Sequence, residues 1–235
     1  MKMMYLILHA ITISFPLLRS FESKIQYAKK WSSLFPAIFI TGTFFIIWDV
    51  IFTMDGVWGF NEKYLAEIYL FDLPIEEWLF FITVPFSSVF IYECVKFFLP
   101  NIKGERISRV TTGIMSIILM IAAILFSEQA YTFWNFAFTS IFLLIIAYLN
   151  PTWLSKFWIA YLIHLIPFLI INGILTGSVI EEPIVWYDNT HNMGIRLFTI
   201  PFEDLFYALL LLLMNVSFFE FFQTKFSKPK HLISS

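Results

Sequence analysis

Cysteine is almost absent from this chain of 235 residues, and the single Cys94 excludes an intrachain disulfide framework and any multi-cysteine metal site. Charge is scarce too: Asp, Glu, Lys and Arg make up 14% of the sequence, against about 25% in a soluble domain. That excludes an ordinary cytosolic globule. The formal net charge of −2 leaves no basic field, so no nucleic-acid partner is expected. None of the eight glycines falls in a Gly-x-Gly-x-x-Gly fingerprint, which removes the usual signal for a dinucleotide. No Asp-Asp-x-x-Asp run is present to hold a diphosphate through magnesium. The expectation is an activity with no cofactor and no metal.

Apolar and aromatic surface is abundant. Hydrophobic residues reach 59% and aromatics 20%, with 30 Phe and 8 Trp, which also excludes disorder. They fall in long runs, so the expected class is an all-α, polytopic membrane bundle. Seven segments approach the length of about 20 residues that crosses a bilayer: 3–19, 32–53, 74–99, 110–126, 131–149, 155–176 and 201–222. The first is read as a retained span, since no small-residue cleavage site follows it. With seven spans, 12 of the 15 Lys/Arg fall on one side: Arg19, Lys24, Lys29, Lys30, Lys96, Lys103, Arg106, Arg109, Lys156, Lys225, Lys228 and Lys230. Lys2, Lys63 and Arg196 fall on the other. The positive-inside rule then predicts an external N-terminus and a cytoplasmic C-terminus.

The chain repeats itself. Leu73-Pro74-Ile75-Glu76-Glu77-Trp78 matches Ile200-Pro201-Phe202-Glu203-Asp204-Leu205, and Glu93 matches Glu220 at the same offset. Trp58 precedes the first motif much as Trp186 precedes the second, and Asp49 to Thr53 matches Asn172 to Thr176. This divides the chain into a three-span repeat (1–99), a connector with the fourth span (100–126) and a second three-span repeat (127–235). Units four spans apart cross the membrane in the same direction, so the repeats are parallel. Both acidic motifs then reach the same face and can share one cavity.

Proline at the first helical position followed by acids is an ordinary helix start. Its duplication beside a membrane argues for more, because each acid there carries a desolvation cost. Adjacent helix positions point about 100° apart, so one acid of each pair can aim at a common spot while the other orients it or meets the loop. A carboxyl in an apolar setting holds its proton and can donate it. Aromatic faces stabilise a cation without quenching it. Together these suit proton-initiated chemistry on a polyene.

The repeated Pro-x-Glu-(Glu/Asp) motif at a span start resembles the membrane-embedded lycopene cyclase family, which occurs as two short homologous subunits or as one fused chain. Pro74 to Glu77 and Pro201 to Asp204 carry the resemblance, and the span order makes this chain similar to the fused form. The resemblance implies non-redox closure of ionone rings on a lycopene-like carotenoid within membrane lipid, here as a lycopene beta-cyclase. It implies Glu76, Glu77, Glu203 and Asp204 as catalytic residues. Glu76 or Glu203 is expected as the acid, with Glu77, Asp204 and Asp49 as base or charge stabilisers. Asp49, Asn172, Trp48, Trp58, Phe80, Trp186, Phe206 and Tyr207 are expected to bind substrate. The alternatives are another cation-type isoprenoid enzyme such as a hydratase, or a lipid-binding or transport bundle. His164 reads as a packing group, Glu93 and Glu220 as partners of nearby Lys/Arg, and the aromatic loops after spans two and six as lids or an interfacial belt.

Overall fold

The computed structural model describes residues 2–226, so the basic residues Lys228 and Lys230 lie outside the described residues. Seven α-helices run in chain order: α1 Met4–Arg19, α2 Trp31–Met54, α3 Ile75–Phe98, α4 Glu105–Leu125, α5 Ala130–Leu149, α6 Leu154–Leu175 and α7 Glu203–Phe226. All but α1 are long and apolar enough to cross a membrane. At 16 residues, α1 extends about 24 Å, short of a hydrocarbon core of about 30 Å.

The halves interlock. Within each, the first helix packs on the third: α1 on α3 and α5 on α7. The middle helix crosses over, so that α2 lies chiefly on α7 and α6 chiefly on α3. The fourth helix stays outside this exchange and packs on α5. Its inner face is small and polar: Ser108, Thr112, Ser116 and Ala123 are buried, and Ser116 and Ser140 hydrogen-bond each other's carbonyls at 2.8 and 2.7 Å. Such residues let membrane helices approach closely. Its outer face exposes Ile107, Ile114, Ile117, Ile121 and Ile124, as a lipid-facing surface would.

The loops after α2 and α6 are copies. Gly56 and Gly177, both at positive φ, end their helices with the same pair of bonds, of which Val57 N–H to Phe52 O and Ser178 N–H to Gly173 O span the more residues. Strand β1 (Trp58–Phe60) is followed by a 3-10 turn capped by Asn61, then hairpin strands β2 (Tyr69–Leu70) and β3 (Leu73–Pro74). Strand β4 (Val185–Tyr187), a turn capped by Asp188, and strands β5 (Arg196–Leu197) and β6 (Ile200–Pro201) repeat this order. The two copies join through β1 and β4, which pair antiparallel as Trp58 with Tyr187, Gly59 with Trp186 and Phe60 with Val185. The flanking bonds, Asn61 N–H to Ile184 O and Asp188 N–H to Val57 O, also exchange equivalent positions. Each residue meets the counterpart of its partner's position, as a two-fold axis requires.

Two marker matches need correction. The strand starts align Trp58 with Val185, so Trp186 replaces Gly59, over which its ring lies with no room for a Cβ. Counted from the bonds at Phe52 and Gly173, Asn172 sits two residues nearer its helix end than Asp49. A loop of unequal spacing hides both shifts from a linear comparison.

Candidate active site

Each acidic motif begins where a hairpin turns into a helix. Pro74 closes strand β3 in extended conformation, and α3 starts at Ile75 with Glu76 and Glu77 in its first turn. The second copy places Glu203 and Asp204 in the first turn of α7. The two acids of each pair then diverge. Glu76 and Glu203 are fully buried and turn back to the loops: Glu76 Oε1 accepts from Ala66 N–H at 2.7 Å, and Glu203 Oε1 accepts from Met193 N–H at 2.8 Å and from the Thr132 hydroxyl at 2.6 Å. Glu77 and Asp204 face inward and line one cavity of about 60 Å³, which both halves enclose.

Each inward acid is held by a tyrosine from the first helix of its own half. Tyr5 on α1 donates to Glu77 Oε1 at 2.6 Å, and Tyr131 on α5 donates to Asp204 Oδ1 at 2.6 Å. These lengths belong to strong hydrogen bonds to carboxyl oxygens. Beyond that the halves differ. Asp204 also accepts from Asn172 Nδ2 at 2.8 Å and from the Tyr187 hydroxyl at 3.0 Å, so three donors surround it. Glu77 accepts from Tyr5 alone among the described residues. Asp49, also on the cavity wall, accepts from Trp58 Nε1 at 2.6 Å. Tyr187 lies in the loop. Burial first, and then the charge of Asp204, push its ionisation well above the ordinary tyrosine range, which keeps it a donor.

The roof and walls are aromatic. Strands β1 and β4 bring Trp58, Phe60, Val185 and Tyr187 to the cavity, so the paired loops close over the motifs. Trp58 lies edge-on to Tyr131 at 5.1 Å, and Tyr131 stacks on Tyr187 at 5.9 Å. Ring faces in such numbers can stabilise a cation inside the cavity.

Of the residues expected from sequence, Asp49, Glu77, Asp204, Asn172, Trp58, Phe80 and Tyr207 come together here. Trp48 stands behind Tyr207, 5.2 Å from its ring. Phe206 packs on Phe136 and Phe202, and the half-exposed Trp186 lies over Gly59, all off the cavity wall. Sequence reasoning missed Tyr5, Tyr131 and Phe168, and had Phe60 and Tyr187 only among the aromatics of the lid loops. The motif's own offset does not find the tyrosines, because Tyr5 lies 72 residues before Glu77 and Tyr131 lies 73 before Asp204.

The other polar groups lie apart. His164 hydrogen-bonds Ser88 at 3.0 Å within the bundle. Glu93 pairs with Lys30 and, at 2.9 Å, with Lys96, whose ammonium lies 2.6 Å from Glu220. This network ties the turn leading into α2 to α3 and α7, at the end of the bundle opposite the cavity. No cluster of His, Cys, Asp or Glu suited to a metal ion occurs among the described residues.

A family model described as lycopene cyclase matches residues 2–95 and again residues 128–222. No curated protein and no solved structure matches the chain.

Proposed function

Because the chain belongs to the lycopene cyclase family, a family of carotenoid cyclases, we propose that it is a lycopene beta-cyclase working by general acid catalysis in the shared cavity. The observation that carries this reading is the convergence of Glu77 and Asp204, one from each half, on a single aromatic-roofed chamber. Glu76 and Glu203, the acids favoured from sequence, serve here as loop clamps, because their bonded oxygens hold backbone N–H groups at the chamber's edge.

Glu77 is the proton donor in this scheme. Its carboxyl keeps one oxygen free of protein donors, and that oxygen carries the proton. The proton adds to the terminal double bond of the acyclic end group and leaves a tertiary cation. The next double bond attacks it and closes a six-membered ring. Asp204, surrounded by three donors, is the anion that steadies the cation along with the rings of Trp58, Tyr131 and Tyr207. Asp49 accepts the proton that leaves the ring carbon bearing the chain, which sets the double bond of a β ring. A proton passed from Asp49 to Glu77 restores the start. The ring is an isomer of the end group, so oxidation level is unchanged. The β1–β4 roof excludes water that would trap the cation as an alcohol.

The test is the pigment of lycopene-accumulating cells that express the chain. Glu77→Gln and Asp204→Asn should each lower ring formation by about 100-fold or more, as loss of a general acid or of a charge stabiliser does. Turnover at the unaltered rate with either substitution would defeat the assignment. Chromatography against β- and ε-ring standards tests the isomer.

A further inference from the structure

A second cavity, of about 520 Å³ and almost wholly apolar, runs between α1, α3 and α6. It shares Phe80, Phe168, Asn172 and Leu175 with the acidic chamber, so the two spaces are contiguous. Its α3 wall extends from Phe80 to Phe98, about 27 Å at 1.5 Å per residue. The outer rim is formed by the exposed Ile11, Phe15, Ile163 and Ile170, where α1 and α6 scarcely touch. An apolar chain can therefore slide in sideways from lipid.

The two-fold axis requires a matching groove between α5, α7 and α2, but that space is filled. The tyrosine–acid pairs align Tyr5 with Tyr131 and Glu77 with Asp204. Counted on from them, Thr12 and Ser87 in the open groove correspond to Phe138 and Met214, and Ile91 to Phe218. Phe138 packs against Phe44 at 5.4 Å and Trp48 at 5.2 Å, and Met214 and Phe218 join the same cluster.

Resting on the cyclase reading, we propose that the α1/α3/α6 groove holds the polyene tail of the substrate while one end group occupies the acidic chamber, and that the plugged groove prevents the chain from being gripped through both halves. The chamber of about 60 Å³ is too small for an end group of roughly ten carbons, since each water-sized unit takes about 10–15 Å³ of such cavity space. Phe80 and Phe168, in the shared wall, swing aside to join the two spaces. One end is closed per encounter, and a bicyclic product requires release and return in the opposite orientation.

The experiment moves the plug. Thr12→Phe with Ser87→Met copies the filled groove into the open one, and Ile91→Trp fills it independently. Purified variants in liposomes are assayed on lycopene and on a truncated polyene of half its length with the same acyclic end group. The expected result is at least a tenfold fall in the ratio of lycopene to truncated-substrate turnover, for both variants. An unchanged ratio would overturn the tail assignment, whether both activities persist, as they would if the groove holds lipid acyl chains, or both fall together. Free monocyclic product should precede bicyclic product when lycopene is in excess, and bicyclic product formed with no free monocyclic precursor would also overturn it. Glu77→Gln separates the two claims: full turnover of the truncated substrate by that variant sinks the acid-site reading whatever the groove variants do.

Discussion

Tyr5 and Tyr131 make the same bond to their acids but carry different shares of the site. The Tyr5 hydroxyl is the one donor to Glu77 among the described residues, whereas Asp204 would keep Asn172 and Tyr187 if Tyr131 lost its hydroxyl. Tyr5→Phe should therefore lower turnover more than Tyr131→Phe, by about tenfold against a few-fold, since a hydrogen bond to a charged or acidic group contributes about 1.5–3 kcal/mol and two remaining donors absorb part of the loss. Initial rates at matched protein levels check this, and equal effects would mean the halves are chemically equivalent. The repeat marked both acid pairs but favoured Glu76 or Glu203 within them. It did not mark their tyrosines, because Tyr5 lies 72 residues from Glu77 and no local pattern joins them.

At the scale of the loop and helix start, the first acid of each motif acts as a clamp. Glu76→Gln keeps an oxygen for Ala66 N–H and should retain most activity and stability. Glu76→Ala leaves that N–H and the surrounding pocket unsatisfied and should cost about 1–3 kcal/mol, with activity falling in step with melting temperature. Thermal unfolding in detergent beside a turnover assay distinguishes this from a catalytic role, in which Glu76→Gln would be the damaging change. The sequence showed two adjacent acids and a helix start, and helix geometry said that only one could face the centre. Which one faces inward depended on the loop ahead of each hairpin: the amides of Ala66 and Met193 take the first acid, and the second is left for the cavity.

For the molecule as a whole, the crossing of α2 onto α7 and α6 onto α3 makes each half depend on the other. Cutting the chain in the segment between α4 and α5 should leave either half inactive alone and restore ring formation when both are co-expressed. Activity from a single half would contradict a chamber built from both. At the opposite end, Glu93→Ala strips Lys30 of its partner and Lys96 of one of two. It should cost roughly 2–3 kcal/mol, below the 3–5 of a fully buried pair because these lysines keep 28–30% of their side-chain surface exposed. Orientation is tested by a reporter inserted near Asn61, which is expected to read as external from the charge asymmetry. A cytoplasmic signal there would reverse it.

Composition and period were enough, without coordinates, to settle a polytopic helical membrane protein with two parallel halves, because apolar runs of span length have no other stable form in lipid. The repeat was enough to bring both acidic motifs to one face. Only the tertiary structure decided which acid of each pair looks inward, that Tyr5 and Tyr131 hold them, and that one of two related grooves is open. Those outcomes turn on side chains that meet across helices far apart in the chain. A two-fold repeat constrains where backbones lie, but the volume left between them depends on whether a position carries Thr12 or Phe138, Ser87 or Met214, and on what the crossing helix presents to it.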